Sequence, residues 1–224
     1  MTDDRPHPAT VTTFGHGTAT GTPDLVRVSI SIETRSSTVA LAYRQAGERT
    51  TAVTGALRAD GVRPADIGTT GLSVRTETTW LDGGDTRITG YLATTALSVS
   101  LRADRTDSGD PDPATVVAHA VDAGGDEVRL GGLQLTFADT AALLTRARDA
   151  AWDDAHAKAT RYATRAARTL GPVLEITEHT AAPPTPVSGP EIKAVALAAP
   201  VDPVPLEYGE SQLTAALRVT WLLD

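Results

Sequence analysis

Asp153, Asp154 and His156 fall within one turn of a strongly helical stretch, and carboxylates with an imidazole are ligand types that divalent metals take. A metal needs ligands that converge. At about 100° per residue, Asp154 and His156 leave the helix on different sides, whereas Asp154 and Lys158, four residues on, share a face. The spacing therefore predicts a helix ion pair in place of a metal centre. A second cluster, Gly15-His16-Gly17 with Gly21, has the glycines of a phosphate-cradling loop. Such a loop must follow a buried strand and open a helix; here a strand follows, which makes the segment a glycine-rich strand lead-in. His7, His119 and His179 are scattered, and neither a Gly-x-Ser-x-Gly elbow nor a His-Glu-x-x-His helix occurs. No spacing sets a base beside a hydroxyl, so the expectation is a protein that is not an enzyme, with no catalytic residue, cofactor or metal ligand to name.

The elements that would carry these residues follow from periodicity. Val26, Val28, Ile30 and Ile32 alternate with Arg27, Ser29, Ser31 and Glu33, a strand with one wet face. After Ser37, a candidate cap, Val39, Ala42, Tyr43, Ala46, Val53 and Leu57 recur at helical spacing until Gly61 and Pro64. Leu72 to Trp80 and Ala93 to Leu101 alternate on either side of the LDGGD turn, a hairpin. Asp112-Pro113 is an N-cap and N1 pair for a short helix ending at Gly124-Gly125. Leu133, Leu135 and Phe137 predict a strand whose Gly131-Gly132 start suits a bulge or a close backbone approach. From an Asp139 cap the longest helix runs to Gly171-Pro172, with Leu144, Ala151, Ala155, Ala159, Tyr162, Ala166 and Leu170 in one apolar band. Strands at Leu174–Ile176 and Leu213–Trp221 close the chain.

These elements predict an α+β fold: a mostly antiparallel sheet from two strand-helix-strand units, helices packed on one face, one of them long and Ala-rich. Residues 1–23 are expected as a partly flexible lead-in, and 24–224 as a single domain with a Pro-rich loop or arm at 181–205. Beside the main apolar band, Ala157, Ala163 and Ala167, with Trp152 at their edge, form a second small-residue strip. It suits either a subunit interface or another helix of the same chain.

Composition removes several classes of function. The chain of 224 residues has no cysteine, which excludes disulfides, thiolate nucleophiles and zinc-thiolate or iron-sulfur sites. A formal net charge of −8 opposes the clustered Lys and Arg that a nucleic-acid surface requires, so no nucleic-acid partner is expected. Met1 to Thr13 has no apolar h-region and no segment is long and apolar enough for insertion in a membrane. The expected location is cytoplasmic if Met1 is the natural start, and periplasmic or secreted if a signal peptide has been removed.

Taken in order, FGHGTATGTPDLVRVSISIETRS, GVRPADIGTTGLSVRTET, ITGYLATTALSVSLRA, ARDAAWDDAHAKATRYATRAARTLGPVLEITE and PLEYGESQLTAALRVTWLL resemble the SIMPL-domain family over nearly the whole chain. The resemblance implies a βα fold that assembles into large ring-like or hollow homo-oligomers, with family roles in stress tolerance, cell-surface antigenicity and signalling. It brings no family-wide catalytic residues. The expected function is thus a non-catalytic, self-associating protein acting through protein contacts, a homo-oligomer with an unidentified protein partner. Two alternatives stand beside it: a small-ligand binding module or unrecognised enzyme with a site between the helical layer and the 181–205 loop, and a signalling adaptor recognised through that Pro-rich segment.

Overall fold

Period-two burial builds the larger part of the molecule. In the computed structural model, which describes residues 8–80, 85–103, 109–179 and 202–224, the strands are β1 (Thr10–Gly21), β2 (Leu25–Ser36), β3 (Ile67–Trp80), β4 (Thr86–Arg102), β5 (Val128–Thr136), β6 (Leu170–His179) and β7 (Ser211–Leu223). The helices are α1 (Val39–Ala59), α2 (Pro113–Gly124) and α3 (Ala141–Arg165). The fold is α+β, and its strands form two antiparallel sheets, β3-β4-β2-β5 and β1-β7-β6. Two compact units result. One contains β2 to β5 with α1 and α2; the other brings β1 together with α3, β6 and β7.

In the four-stranded unit, Val26, Val28, Ile30 and Ile32 of β2 and Leu97, Val99 and Leu101 of β4 meet Val53 and Leu57 of α1 and Val116 and Ala120 of α2. Each such buried Val, Leu or Ile contributes on the order of 1.5–3 kcal/mol, enough to fix which sheet face the helices cover. Val39 and Tyr43, also at helical spacing, are exposed. The expected bulge is present: pairing of β2 with β5 slips between Ser29 and Ile30, opposite Gly131-Gly132, and Gly132 sits at φ +129°. The cap of α1 is Thr38, one residue after Ser37, its Oγ1 accepting from the Leu41 N–H at 3.3 Å.

Asp112 caps α2 as its position before Pro113 predicts. Its Oδ1 accepts from the Thr115 N–H at 3.0 Å and its Oδ2 from the Thr115 hydroxyl at 2.9 Å. The Thr115 N–H, foremost, holds the Asp112 carboxyl below its ordinary pKa. A lowered folded-state pKa means the stabilisation is present above the unfolded value, about 3.9, and is lost as pH falls through the folded one. Asp112→Ala is expected to cost about 1 kcal/mol near neutral pH, while Asp112→Asn, which keeps a capping oxygen, costs much less. Urea titrations of wild type and Asp112→Ala, near neutrality and again below about pH 3, check this: the gap between them should narrow in acid.

The three-stranded unit departs further from the periodicity reading. Residues 10–21, read as lead-in, are the edge strand β1, paired along its whole length with β7 from Thr10↔Leu222 to Gly21↔Ser211. Period-two burial is there, but Thr13, Gly15 and Gly17 occupy the inward positions, so no apolar alternation marks it. The long helix ends at Arg165, with Ala167 at φ +55° just beyond it, and Gly171-Pro172 lies inside β6. Its first turn is also shifted: Thr140 is the boundary residue, while the Asp139 Oδ1 accepts from the Ala141 N–H at 2.8 Å.

Candidate functional site

The helix that carries the sequence's most site-like cluster lies against β1 on a stripe of one residue every four: Leu143, Ala147, Ala151, Ala155, Ala159 and Ala163, all buried. Opposite them, Gly15 and Gly17 are glycine because the helix backbone is already there. A Cβ on Gly15 would fall on the Ala151 carbonyl oxygen and lie 2.8 Å from the Ala155 Cβ; one on Gly17 would fall on the Ala147 carbonyl and the Ala151 nitrogen. Between them and the chain's start, buried Thr13 donates its hydroxyl to the Ala155 carbonyl at 2.8 Å. The Gly-His-Gly segment is therefore a seat for α3, not an anion cradle. A smaller version recurs in the other unit, where buried Thr34 donates to the Ala42 carbonyl at 2.8 Å and Ala42 and Ala46 of α1 pack on Ala93.

Asp154 and Lys158 form the predicted pair at 2.7 Å, but they do more than face water. The Asp154 Oδ2 also accepts from the His16 N–H at 2.8 Å, and Lys158 Nζ donates to the Phe14 carbonyl at 2.9 Å. Arg146 reaches the Thr20 carbonyl at 3.4 Å. These are backbone groups on the β1 edge away from β7, so one face of α3 satisfies polar groups that would otherwise be open to another strand. The Lys158 ammonium, then the His16 N–H, hold the Asp154 carboxyl below its ordinary pKa. Asp153 and His156 are exposed and stand apart from this clamp. Among the described residues, no three His, Asp or Glu side chains gather as metal ligands would.

The four residues of the expected interface do not form one strip. Ala163 belongs to the buried stripe against the helix's own sheet, Ala157 is exposed, and Ala167 lies past the helix end. Trp152 is half-buried, its ring centroid 6.1 Å from that of Trp221, which also meets the His156 ring edge-on at 6.4 Å. The apolar band is displaced in the same way: Leu144 is half-buried, and Tyr162 and Ala166 are exposed.

Of the 181–205 segment, residues 180–201 lie outside the described residues. Its last part, Pro203 and Pro205, lines an open cleft of about 400 Å3 with Asp112, Pro113, Leu206 and Tyr208. Asp112 there is committed to Thr115, and burial, then the nearby Asp112 charge, raises the Tyr208 hydroxyl pKa. A second open cleft, about 410 Å3, is lined by Thr34, Arg35, Gln45, Glu48, Arg49 and Glu127. Its guanidiniums are matched to carboxylates, Arg35 to Glu77 at 3.0 Å and Arg49 to Glu127 at 3.5 Å.

Strand residues of each unit also present large apolar side chains to solvent. Leu72 and Trp80 of β3 are 55% and 77% exposed, and Ile88 of β4, Leu130 and Leu133 of β5, and Leu174 and Ile176 of β6 are also exposed. Sequence alternation could place these residues on strands but not reveal that no helix covers them.

The SIMPL family model, described as a protein of unknown function (DUF541), matches residues 11–221, from β1 through β7. The chain belongs to the SIMPL family. Curated SIMPL-like relatives include the 26 kDa periplasmic immunogenic proteins of Brucella melitensis and Brucella abortus, each 28% identical over 219 residues, covering 96% of this chain and 84% of the relative. The uncharacterized protein YggE of Escherichia coli K12 is 28% identical over 177 residues, 79% of this chain and 67% of that protein. The seat of α3 on β1 thus lies within the matched span of this SIMPL chain. No helix among the described residues is long and apolar enough to cross a membrane.

Proposed function

We propose that this SIMPL protein is non-catalytic, self-associates, and acts through protein contacts as a scaffold or stress-related assembly. The observation that carries the reading is the exposed apolar set on its strands, Leu72, Trp80, Ile88, Leu174 and Ile176. Leu72, Trp80 and Ile88 lie in one unit and Leu174 and Ile176 in the other, and large apolar side chains exposed on strands are costly to leave in water and gain when a second surface covers them. The clefts support binding less well, since Arg35, Arg49, Glu127 and Asp112 in their walls already have partners in the chain. A formal charge of −8 is compatible with homotypic contacts made through apolar and backbone groups, and opposes nucleic acid as the partner.

Sedimentation velocity and light scattering over a wide concentration range test the proposal. The expected result is a species heavier than the 23.3 kDa chain, with a mass that rises with concentration. A strictly monomeric chain at every concentration defeats it. For location, we carry over the periplasm named for the Brucella relatives. Fractionation of the producing bacterium checks that, and recovery in the cytoplasm alone rejects it.

A further inference from the structure

Among the described residues the two sheets have four edge strands, and they are not alike. The edge of β1 is clamped by Lys158 and Asp154. β5 is kinked by its bulge at Gly131-Gly132, and β6 carries Pro172 and slips register between Leu170 and Val173 and again before Glu175. Bulges, prolines and side-chain caps are the devices that keep a strand from pairing with a stranger. β3 has none of them between Gly71 and Trp80: all ten residues pair in unbroken succession along β3 with β4, the extra residue of the one slip there, Thr89, belonging to β4. Most of its side chains are exposed.

We infer that β3 pairs antiparallel with β3 of a second copy about a twofold axis at Thr76. The inference rests on the proposed self-association and assigns it a surface and a register. In an antiparallel ladder, opposed residues either both turn their N–H and C=O toward each other or both turn away, and these states alternate along an edge. A strand pairing with its own copy therefore opposes residues an even number of positions apart, which leaves few registers. Centring on Arg75 or on Glu77 sets like charges directly opposite each other. Centring on Thr76, between them, sets Arg75 against Glu77 of the second copy and Glu77 against its Arg75. The same register opposes Val74 to Thr78 and Leu72 to Trp80, so the two most exposed apolar residues of the strand cover each other at both ends. Arg75 is exposed and free to reach across; Arg35 already holds the Glu77 Oε1 at 3.0 Å, and a carboxylate accepts from two guanidiniums. Charge thus selects one register from the small set that backbone geometry permits.

Charge reversal tests this in full-length protein, with circular dichroism confirming that each variant folds. Arg75→Glu alone and Glu77→Arg alone each oppose like charges, and each should weaken association by about tenfold or more. The double variant should regain it. An equimolar mixture of the two single variants should associate with each other, because a chain with two acidic positions then faces one with two basic positions. Wild type that sediments as a monomer overturns both this pairing and self-association. Wild type that associates while the single reversals associate equally well overturns the β3 surface and leaves self-association standing. Single reversals that dissociate without recovery in the mixture overturn the register.

Discussion

Gly17→Ala is expected to unseat α3. The added Cβ meets two backbone atoms, the Ala147 carbonyl and the Ala151 nitrogen, and neither can rotate aside as a side chain would. Overpacking costs typically 1–3 kcal/mol when side chains can adjust. Here the helix itself must lift, which strains the Thr13–Ala155, His16–Asp154 and Lys158–Phe14 hydrogen bonds together, and roughly 3 kcal/mol or more is the expected loss. Fluorescence-monitored denaturation reads it well. Trp152 and Trp221 both belong to the unit that α3 completes, whereas Trp80, in the other unit, is too exposed to report much change. The emission transition should move to lower denaturant by that amount. An unchanged midpoint would mean that the helix does not rest on β1 at this distance.

Trp221→Ala removes the largest fully buried side chain among the described residues, 2% exposed near the C-terminal end of β7. Truncating a buried tryptophan costs about 3–5 kcal/mol, from lost transfer energy and from the cavity left behind. Trp152 and His156 lose their aromatic contact at the same time, so Trp152, now the reporter for this unit, should show red-shifted emission even before unfolding. Trp221→Phe keeps much of the apolar volume and should cost clearly less. Thermal and urea unfolding of the two variants, compared with wild type, measure the difference. Equal stability of Trp221→Ala and wild type would contradict the packing described.

What the sequence made legible follows from how each segment signals burial. β2 was plain because Val26, Val28, Ile30 and Ile32 are all apolar and all inward. α2 was plain because Asp112, Pro113 and Gly125 mark its two ends chemically. β1 stayed hidden for the opposite reason: its inward positions are held by Thr13, Gly15 and Gly17, chosen for smallness against a helix backbone, and smallness has no hydrophobic period. The same close contact displaced the apolar band read on α3, since alanines every four residues cover the true face while Tyr162, more hydrophobic, points away. For the site, Asp154–Lys158 was readable as a pair from i,i+4 spacing alone. Its grip on Phe14 and His16 was not, because that contact crosses 138 to 144 residues of chain. The open edge of β3 likewise depends on which strands neighbour it, a property of topology that local alternation does not encode.

β1 and β7 are direct partners although Thr12 and Thr220, bonded across them at 2.9 Å, are 208 positions apart. During synthesis β1 emerges well before its partner, with every other element of both units made in between. The strands and helices of the β2-to-β5 unit all precede Asp139, with Leu206 and Tyr208 packing on their core from later in the chain, while β1 must wait for β7. A long wait for a partner favours a strand that is harmless alone, and β1 suits it: Thr, Gly, His and Ala make most of its length, with Val11 and Phe14 its only large apolar residues. The glycines that admit α3 in the finished fold also keep the unfinished strand from offering a sticky template. The slowest step of assembly is then expected to be the arrival of β7, and a nascent chain halted before Ser211 should hold one folded unit and one that has yet to begin.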